Sequence, residues 1–139
     1  MSNPSTRLDV WVIIETALRQ FVPWLAMVGL VSLAGYPGVI CVTPMAWLIA
    51  LRVGNICVAR SGSQMPSQRL REAALAGALL GLLQGILFLV VLPFLGPIKA
   101  SEWTGAVLIV LIQLILGIIA GAGLSFLTAC LTEQRRRTS

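Results

Sequence analysis

Long apolar blocks separated by short polar segments make up most of the chain. The blocks predict four helices, at about residues 9–34, 39–59, 73–95 and 103–131. A helix of about 20 apolar residues crosses a hydrocarbon layer about 30 Å thick, so each block is long enough for one crossing. The pattern therefore predicts an all-α integral membrane protein of a single domain, with four transmembrane helices arranged as two antiparallel hairpins.

The polar segments supply the turns and the tails of this arrangement. Residues 1–9 are a short polar tail, residues 60–72 are the longest polar loop, and residues 132–139 are a basic tail. Glycine and proline at residues 35–38 favour a tight reversal between the first two helices. We therefore expect the first hairpin to turn there.

The first helix has an alternative arrangement. Its uninterrupted apolar part, residues 22–34, is too short to cross a bilayer alone, so we expect the helix to start near residue 9. Alternatively, residues 7–20 lie along the membrane surface and the crossing starts at Pro23. Residues 32–34 also resemble a signal-peptide cleavage site behind an apolar stretch, although we expect this segment to be retained.

Composition excludes several classes of function. The chain is 58% hydrophobic and 11% charged, against about 25% charged residues in ordinary soluble domains. Its net charge of +5 comes from basic residues that flank apolar blocks, which does not suggest nucleic-acid binding. Histidine is absent, the three cysteines are isolated, and no catalytic or phosphate-binding motif appears. We therefore expect no enzyme, no catalytic residue, no cofactor and no metal site.

The distribution of basic residues predicts the orientation in the membrane. Residues 60–72 contain three arginines, whereas residues 35–38 contain none and the third loop contains only Lys99. Because basic loops stay on the cytoplasmic side, we expect a multi-pass protein of a bacterial-type inner membrane with both termini cytoplasmic. Three further arginines suited to binding anionic lipids end the chain: Arg135, Arg136 and Arg137.

The first hairpin carries ionisable residues inside its apolar blocks. Glu15 and Arg19 lie one turn apart in the first helix, and Arg52 and Asn55 lie close together in the second. A reversal near residue 36 brings all four to one depth, because antiparallel helices rise equally from their turn. The simpler interpretation of this predicted polar cluster is that Glu15 neutralises Arg19 and the arginines reach the headgroups. The alternative is a gate, an ion relay or an anionic-lipid site.

Small residues repeat every four positions in the second hairpin. They are Gly77, Gly81 and Gly85 on the third helix and Gly117, Gly121 and Ser125 on the fourth. Such stripes let membrane helices approach closely, so we expect the two helices to pack through them. A count from a turn near Ile98 places Gly77 level with Ala120 and brings Gln84 beside Gln113, which predicts an interhelical hydrogen bond.

Two functions are compatible with these expectations. The first hypothesis is a non-catalytic accessory or scaffold subunit of a larger membrane protein complex, with other membrane subunits, the lipid bilayer and anionic lipids as its partners. The alternative is a small transporter or channel that acts as a homo-oligomer, with the Glu/Arg cluster lining the path.

Overall fold

The computed structural model describes residues 9–32, 36–61, 65–91 and 103–138. Within these ranges the chain forms four helices and no strands. The helices are α1 (Val10–Ser32), α2 (Tyr36–Arg60), α3 (Pro66–Val91) and α4 (Trp103–Thr138). The described part of the chain is therefore all helical, as the sequence predicts.

Three segments are long and apolar enough to cross a membrane, judged by length and composition. They are Val10–Leu30 of α1, Pro66–Leu87 of α3 and Leu111–Thr138 of α4. This finding indicates a multi-pass membrane protein.

The first helix begins where the sequence predicts and continues without a break. Asp9 caps it, since the backbone N–H of Val12 donates to Asp9 Oδ1 at 3.3 Å and that of Ile13 donates to the Asp9 carbonyl at 3.2 Å. Pro23 lies inside α1, which continues to Ser32. The helix is therefore not interrupted between residue 20 and Pro23, where the alternative arrangement places the start of the crossing.

The third helix starts earlier than the sequence predicts. It begins at Pro66, so part of the expected loop at residues 60–72 is helical. Proline suits the first helical position, and the Met65 carbonyl accepts hydrogen bonds from the backbone N–H groups of Gln68 at 3.1 Å and Arg69 at 3.3 Å. The prediction depended on apolar residues alone, but polar residues continue a helix equally well outside the hydrocarbon.

The fourth helix ends later than expected. It includes residues 132–138 of the predicted basic tail and has 36 residues in all. At 1.5 Å per residue it is about 54 Å long, which is more than a hydrocarbon layer can cover. Its last turn carries the three arginines at positions 135–137, where positive charge is favourable at the negative end of the helix dipole.

The helices form a four-membered bundle in which α2 and α3 contact each other across the centre. Both α1 and α4 pack on α2 and on α3, so α1 and α4 lie at opposite corners of the described bundle. The most extensive interface joins α3 and α4. The backbone N–H of Asp9 donates to Glu72 at 3.1 Å, and Arg69 pairs with Glu133 at 2.6 Å. The start of α1 and the end of α4 therefore lie at the same end of the bundle.

Backbone contact between glycines explains the close α3–α4 interface. A Cβ atom added to Gly77 would overlap the carbonyl oxygen of Gly121, and one added to Gly81 would overlap that of Gly117. The count from the turn places Gly77 level with Ala120, one residue from the partner that the structure gives it. The third glycine of α3, Gly85, lies against the Leu114 side chain: a Cβ there would come within 2.8 Å of it.

Ser125, the remaining small residue of the α4 stripe, also contacts α2. The hydroxyl group of Ser125 donates to the Ala50 carbonyl at 2.8 Å and is fully buried. A Cβ on Gly54 would overlap the Ser125 carbonyl oxygen, and one on Gly77 would overlap the Ser125 hydroxyl. Ser125 thus lies where α2, α3 and α4 meet.

Candidate functional site

One end of the bundle carries a layer of charged and polar side chains, which we call the polar layer. It forms where the first turns of α1 and α3 meet the last turns of α2 and α4. Its members are Glu15, Asn55, Arg60, Ser61, Arg69, Glu72, Thr132 and Glu133.

Glu72 is the centre of the polar layer and is fully buried. Its carboxylate accepts hydrogen bonds from the backbone N–H of Asp9 at 3.1 Å, from Gln68 Nε2 at 3.4 Å and from the hydroxyl group of Ser61. These donors come from the start of α1, from α3 itself and from the residue after α2. Glu72 therefore joins three helix ends, a role that the sequence did not predict because the polar residues 60–72 indicated a loop.

A signal for Glu72 was present in the helical repeat. The buried residues Ala73, Ala76 and Leu80 form one face of α3. Extending that face by one turn towards the start of the helix reaches Glu72 and Arg69, because residues three and four positions apart share a face. The buried face of α3 therefore continues beyond its apolar residues.

A mostly buried ion pair joins α3 to α4 in the polar layer. Arg69 Nη1 lies 2.6 Å from Glu133 Oε1, and the two side chains are only 17% and 11% exposed. Charge-assisted hydrogen bonds of this length are stronger than neutral ones. The pair fixes the last turns of α4 on the first turn of α3.

The predicted pair of Glu15 and Arg19 is present and has a third member. Glu15 Oε1 lies 2.9 Å from Arg19 Nη2 within α1 and 3.4 Å from Arg60 Nη1 at the end of α2. All three groups are partly exposed, so solvent or headgroups reach them.

Arg52 and Asn55 have different surroundings from Glu15 and Arg19. Asn55 Oδ1 accepts a hydrogen bond of 2.5 Å from the hydroxyl group of Thr132 on α4, while Arg52 is exposed. Among the described residues, no hydrogen bond or ion pair joins either of them to Glu15 or Arg19. Counting along a helix gives depth but not direction, and the structure turns Asn55 towards α4.

A pocket of about 300 Å³ lies between α1 and α2 beside the Glu15 pair, and we call it the basic pocket. Its lining residues are Thr16, Arg19 and Gln20 of α1 and Ile56, Ala59 and Arg60 of α2. Two guanidinium groups and one neighbouring carboxylate give it a net positive charge. The Thr16 hydroxyl at its wall is buried and has no hydrogen-bond partner within the described chain.

A second cavity, which we call the apolar groove, lies between α2, α3 and α4 and has a volume of about 410 Å³. Glycine and alanine form much of its surface, and the indoles of Trp24 and Trp47 also line it. The predicted partners Gln84 and Gln113 both line this groove. Gln84 Nε2 is buried and finds no acceptor among the described residues.

In the described ranges, no three His, Cys, Asp or Glu side chains come close enough together to hold a metal ion. The polar layer joins helix ends, the basic pocket suits an anion, and the apolar groove suits an apolar surface.

Comparisons of the chain with protein-family models, with curated proteins and with solved structures found no match. Its function is therefore inferred from its own residues and their geometry.

Proposed function

We propose that the chain is a non-catalytic accessory or scaffold subunit of a larger membrane protein assembly. The observation that carries this proposal is the apolar groove, which contains a buried amide nitrogen, Gln84 Nε2, with no acceptor among the described residues. An unpaired amide in apolar surroundings is unfavourable, since neither water nor lipid tails replace the missing bond. A transmembrane helix of a partner subunit is the occupant that we propose for the groove.

The surface of the groove suits a helix. Ala46 and Ala50 of α2 and Ala120 of α4 lie along it, together with glycines of α3 and α4. Small residues let helix backbones approach closely in membranes, where packing and interhelical hydrogen bonds drive association. A carbonyl or hydroxyl oxygen on the partner helix would accept a bond from Gln84 after a turn of its terminal amide.

The polar layer supports a non-catalytic role. Glu15 holds two arginines, Glu72 accepts three hydrogen bonds, and Glu133 is paired with Arg69. Each of these carboxylates is used to hold helices together. A general acid or base needs freedom to exchange protons with a substrate, and burial restricts this exchange for Glu72 and Glu133.

The proposed topology has four crossings, with α2 as the crossing in addition to the three apolar segments. An even number of crossings agrees with the shared end of the bundle at which α1 starts and α4 ends. The basic residues near that end favour the cytoplasmic side of a bacterial-type inner membrane, with the arginines at 135–137 close to anionic lipids. The transporter alternative requires Arg52 and Asn55 to share a path with Glu15 and Arg19. It has less support because Asn55 bonds to Thr132 of α4 instead, and Arg52 is exposed.

The experiment that tests the proposal fills the groove. Ala120 lines it, so Ala120→Trp should place a large ring where the partner helix would lie. Gly123 is on the same helix but is exposed, and a Cβ there would meet nothing within 4 Å, so Gly123→Trp is the matched control. The tagged variants would be produced at native abundance and extracted in mild detergent, and the co-purified chains would be quantified by mass spectrometry.

We expect the wild type and Gly123→Trp to retain the same partner in a fixed ratio and Ala120→Trp to lose it about tenfold or more, equivalent to about 1.4 kcal/mol. Equal recovery with both variants would exclude the groove as the docking site. Purification of the wild type alone would exclude the accessory role itself.

A further inference from the structure

The basic pocket combines charge, shape and position in a way that packing alone does not require. Arg19 and Arg60 come from different helices and share the single carboxylate of Glu15. The three groups together carry one excess positive charge. The end of α2 contributes a partial negative charge of about one half, so the pocket stays positive.

We propose that the basic pocket binds the phosphate group of an anionic phospholipid. A guanidinium group presents several N–H donors in a plane, which matches the oxygens of a phosphate better than a single ammonium group would. Arg19 Nη2 and Arg60 Nη1 each use Glu15 Oε1 as an acceptor, and each guanidinium group has five N–H donors in all. Donors therefore remain for an incoming anion.

The other walls of the pocket suit the rest of a lipid molecule. Ile56 and Ala59 supply apolar surface, and Gln20 supplies an amide that can bond to glycerol or ester oxygens. Thr16 adds a hydroxyl that has no partner within the described chain. Its oxygen is covered, so a bond to a ligand would require the side chain to rotate about χ1.

The position of the pocket favours a lipid over a soluble anion. Arg60 is the last residue of α2 and Ser61 follows it in the polar layer. The pocket thus lies where an apolar helix pair meets the polar end of the bundle, which is the depth of lipid headgroups. Acyl chains attached to a phosphate at this point would continue along α1 and α2.

The inference is independent of the partner subunit, because every group that forms the pocket belongs to this chain. The test therefore uses the purified full chain in neutral detergent. Native mass spectrometry would count bound lipids during separate titrations with phosphatidylglycerol, with phosphatidylcholine and with inorganic phosphate.

We expect one phosphatidylglycerol to bind at least tenfold more tightly than phosphatidylcholine, and inorganic phosphate not to compete with it. Arg19→Gln combined with Arg60→Gln should weaken that binding about 25-fold, since each basic residue near an anionic headgroup contributes a factor of about five. Arg52→Gln is the matched control, because Arg52 is an exposed arginine of α2 that does not line the pocket. It should leave the affinity within twofold of the wild type.

Two further variants keep the test decisive if the double variant fails to fold. Ala59 is exposed and lines the pocket, so Ala59→Leu should block the lipid without changing any charge. Glu15→Gln keeps a carbonyl acceptor for the arginines but removes the negative charge, so it should tighten phosphatidylglycerol binding severalfold.

Three results would overturn the inference. A loss of about fivefold with Arg52→Gln, the factor expected for each arginine removed, would mean that the lipid responds only to overall charge. Phosphatidylglycerol binding that is unchanged both in Ala59→Leu and, separately, in the double arginine variant would exclude the pocket as the binding site. Competition by inorganic phosphate at equal affinity would assign the site to a soluble anion.

Discussion

Replacing Gly121 with alanine is expected to weaken the packing of α4 on α3. A Cβ atom at this position would lie 3.0 Å from the Gly77 carbonyl carbon and closer still to its oxygen, while ordinary contacts begin at 3.4 Å. Both groups belong to the backbone, so no flexible side chain can move aside. The two helices must separate instead.

The cost follows from that separation. A gap of about 1 Å forfeits a quarter to a half of the dispersion energy of each displaced contact, and overpacking of this kind typically costs about 1–3 kcal/mol. Alanine is a better helix former than glycine by about 1 kcal/mol in a helix interior, which offsets part of the loss. We therefore expect Gly121→Ala to lower the free energy of unfolding by about 1 kcal/mol, which is the middle of that cost less the helix-propensity offset.

Two other glycines of α4 provide controls, because a Cβ atom at either position would be less crowded than one at Gly121. A Cβ on Gly117 would lie 3.4 Å from the Gly81 carbonyl oxygen, an ordinary contact, and one on Gly123 would meet nothing within 4 Å. Gly117→Ala should therefore be nearly neutral, and Gly123→Ala should be neutral or stabilising by up to about 1 kcal/mol. Reversible unfolding by sodium dodecyl sulphate in mixed micelles, followed by circular dichroism, would measure all three. Equal unfolding free energies for Gly121→Ala and Gly123→Ala would refute the close contact.

Two predictions concern the polar layer and use the same unfolding assay. Glu72→Ala should lower the free energy of unfolding by about 3 kcal/mol, because it leaves three hydrogen-bond donors without their acceptor at about 1 kcal/mol each. A decrease of less than about 0.5 kcal/mol would contradict the central role of Glu72. A double-mutant cycle on Arg69 and Glu133 should give a coupling free energy of about 1–3 kcal/mol, whereas the exposed pair of Glu15 and Arg19 should give about 0.3–0.5 kcal/mol. Equal coupling free energies for the two pairs would contradict the conclusion that burial makes the Arg69–Glu133 pair the stronger one.

The helices could be predicted from the sequence, and so could the residues of two paired helices that lie at the same depth, because both depend on regular geometry. Apolar blocks identify segments that lipid can surround, and a fixed rise per residue relates positions on two sides of a turn. The same count places Gly77 within one residue of the partner that it contacts, Gly121. The ends of α3 and α4 could not be predicted in this way, because a helix leaving the membrane becomes polar without ceasing to be a helix.

Direction around the helix axis is the information that the sequence lacked. Asn55 and Arg60 both belong to α2, but five residues turn the helix through about 140° beyond a full circle. Arg60 consequently contacts α1 while Asn55 contacts α4. Glu72 was not predicted because residues 60–72 were expected to form a loop, and its burial depends on the neighbouring ends of α1 and α2.

The most direct test of the proposed function is native mass spectrometry of the wild-type chain after gentle extraction from its own membrane. If the chain is an accessory subunit, it should appear in a complex with one or more other membrane proteins at fixed stoichiometry. Recovery only as a monomer or a homo-oligomer, under conditions that preserve known membrane complexes, would contradict the account.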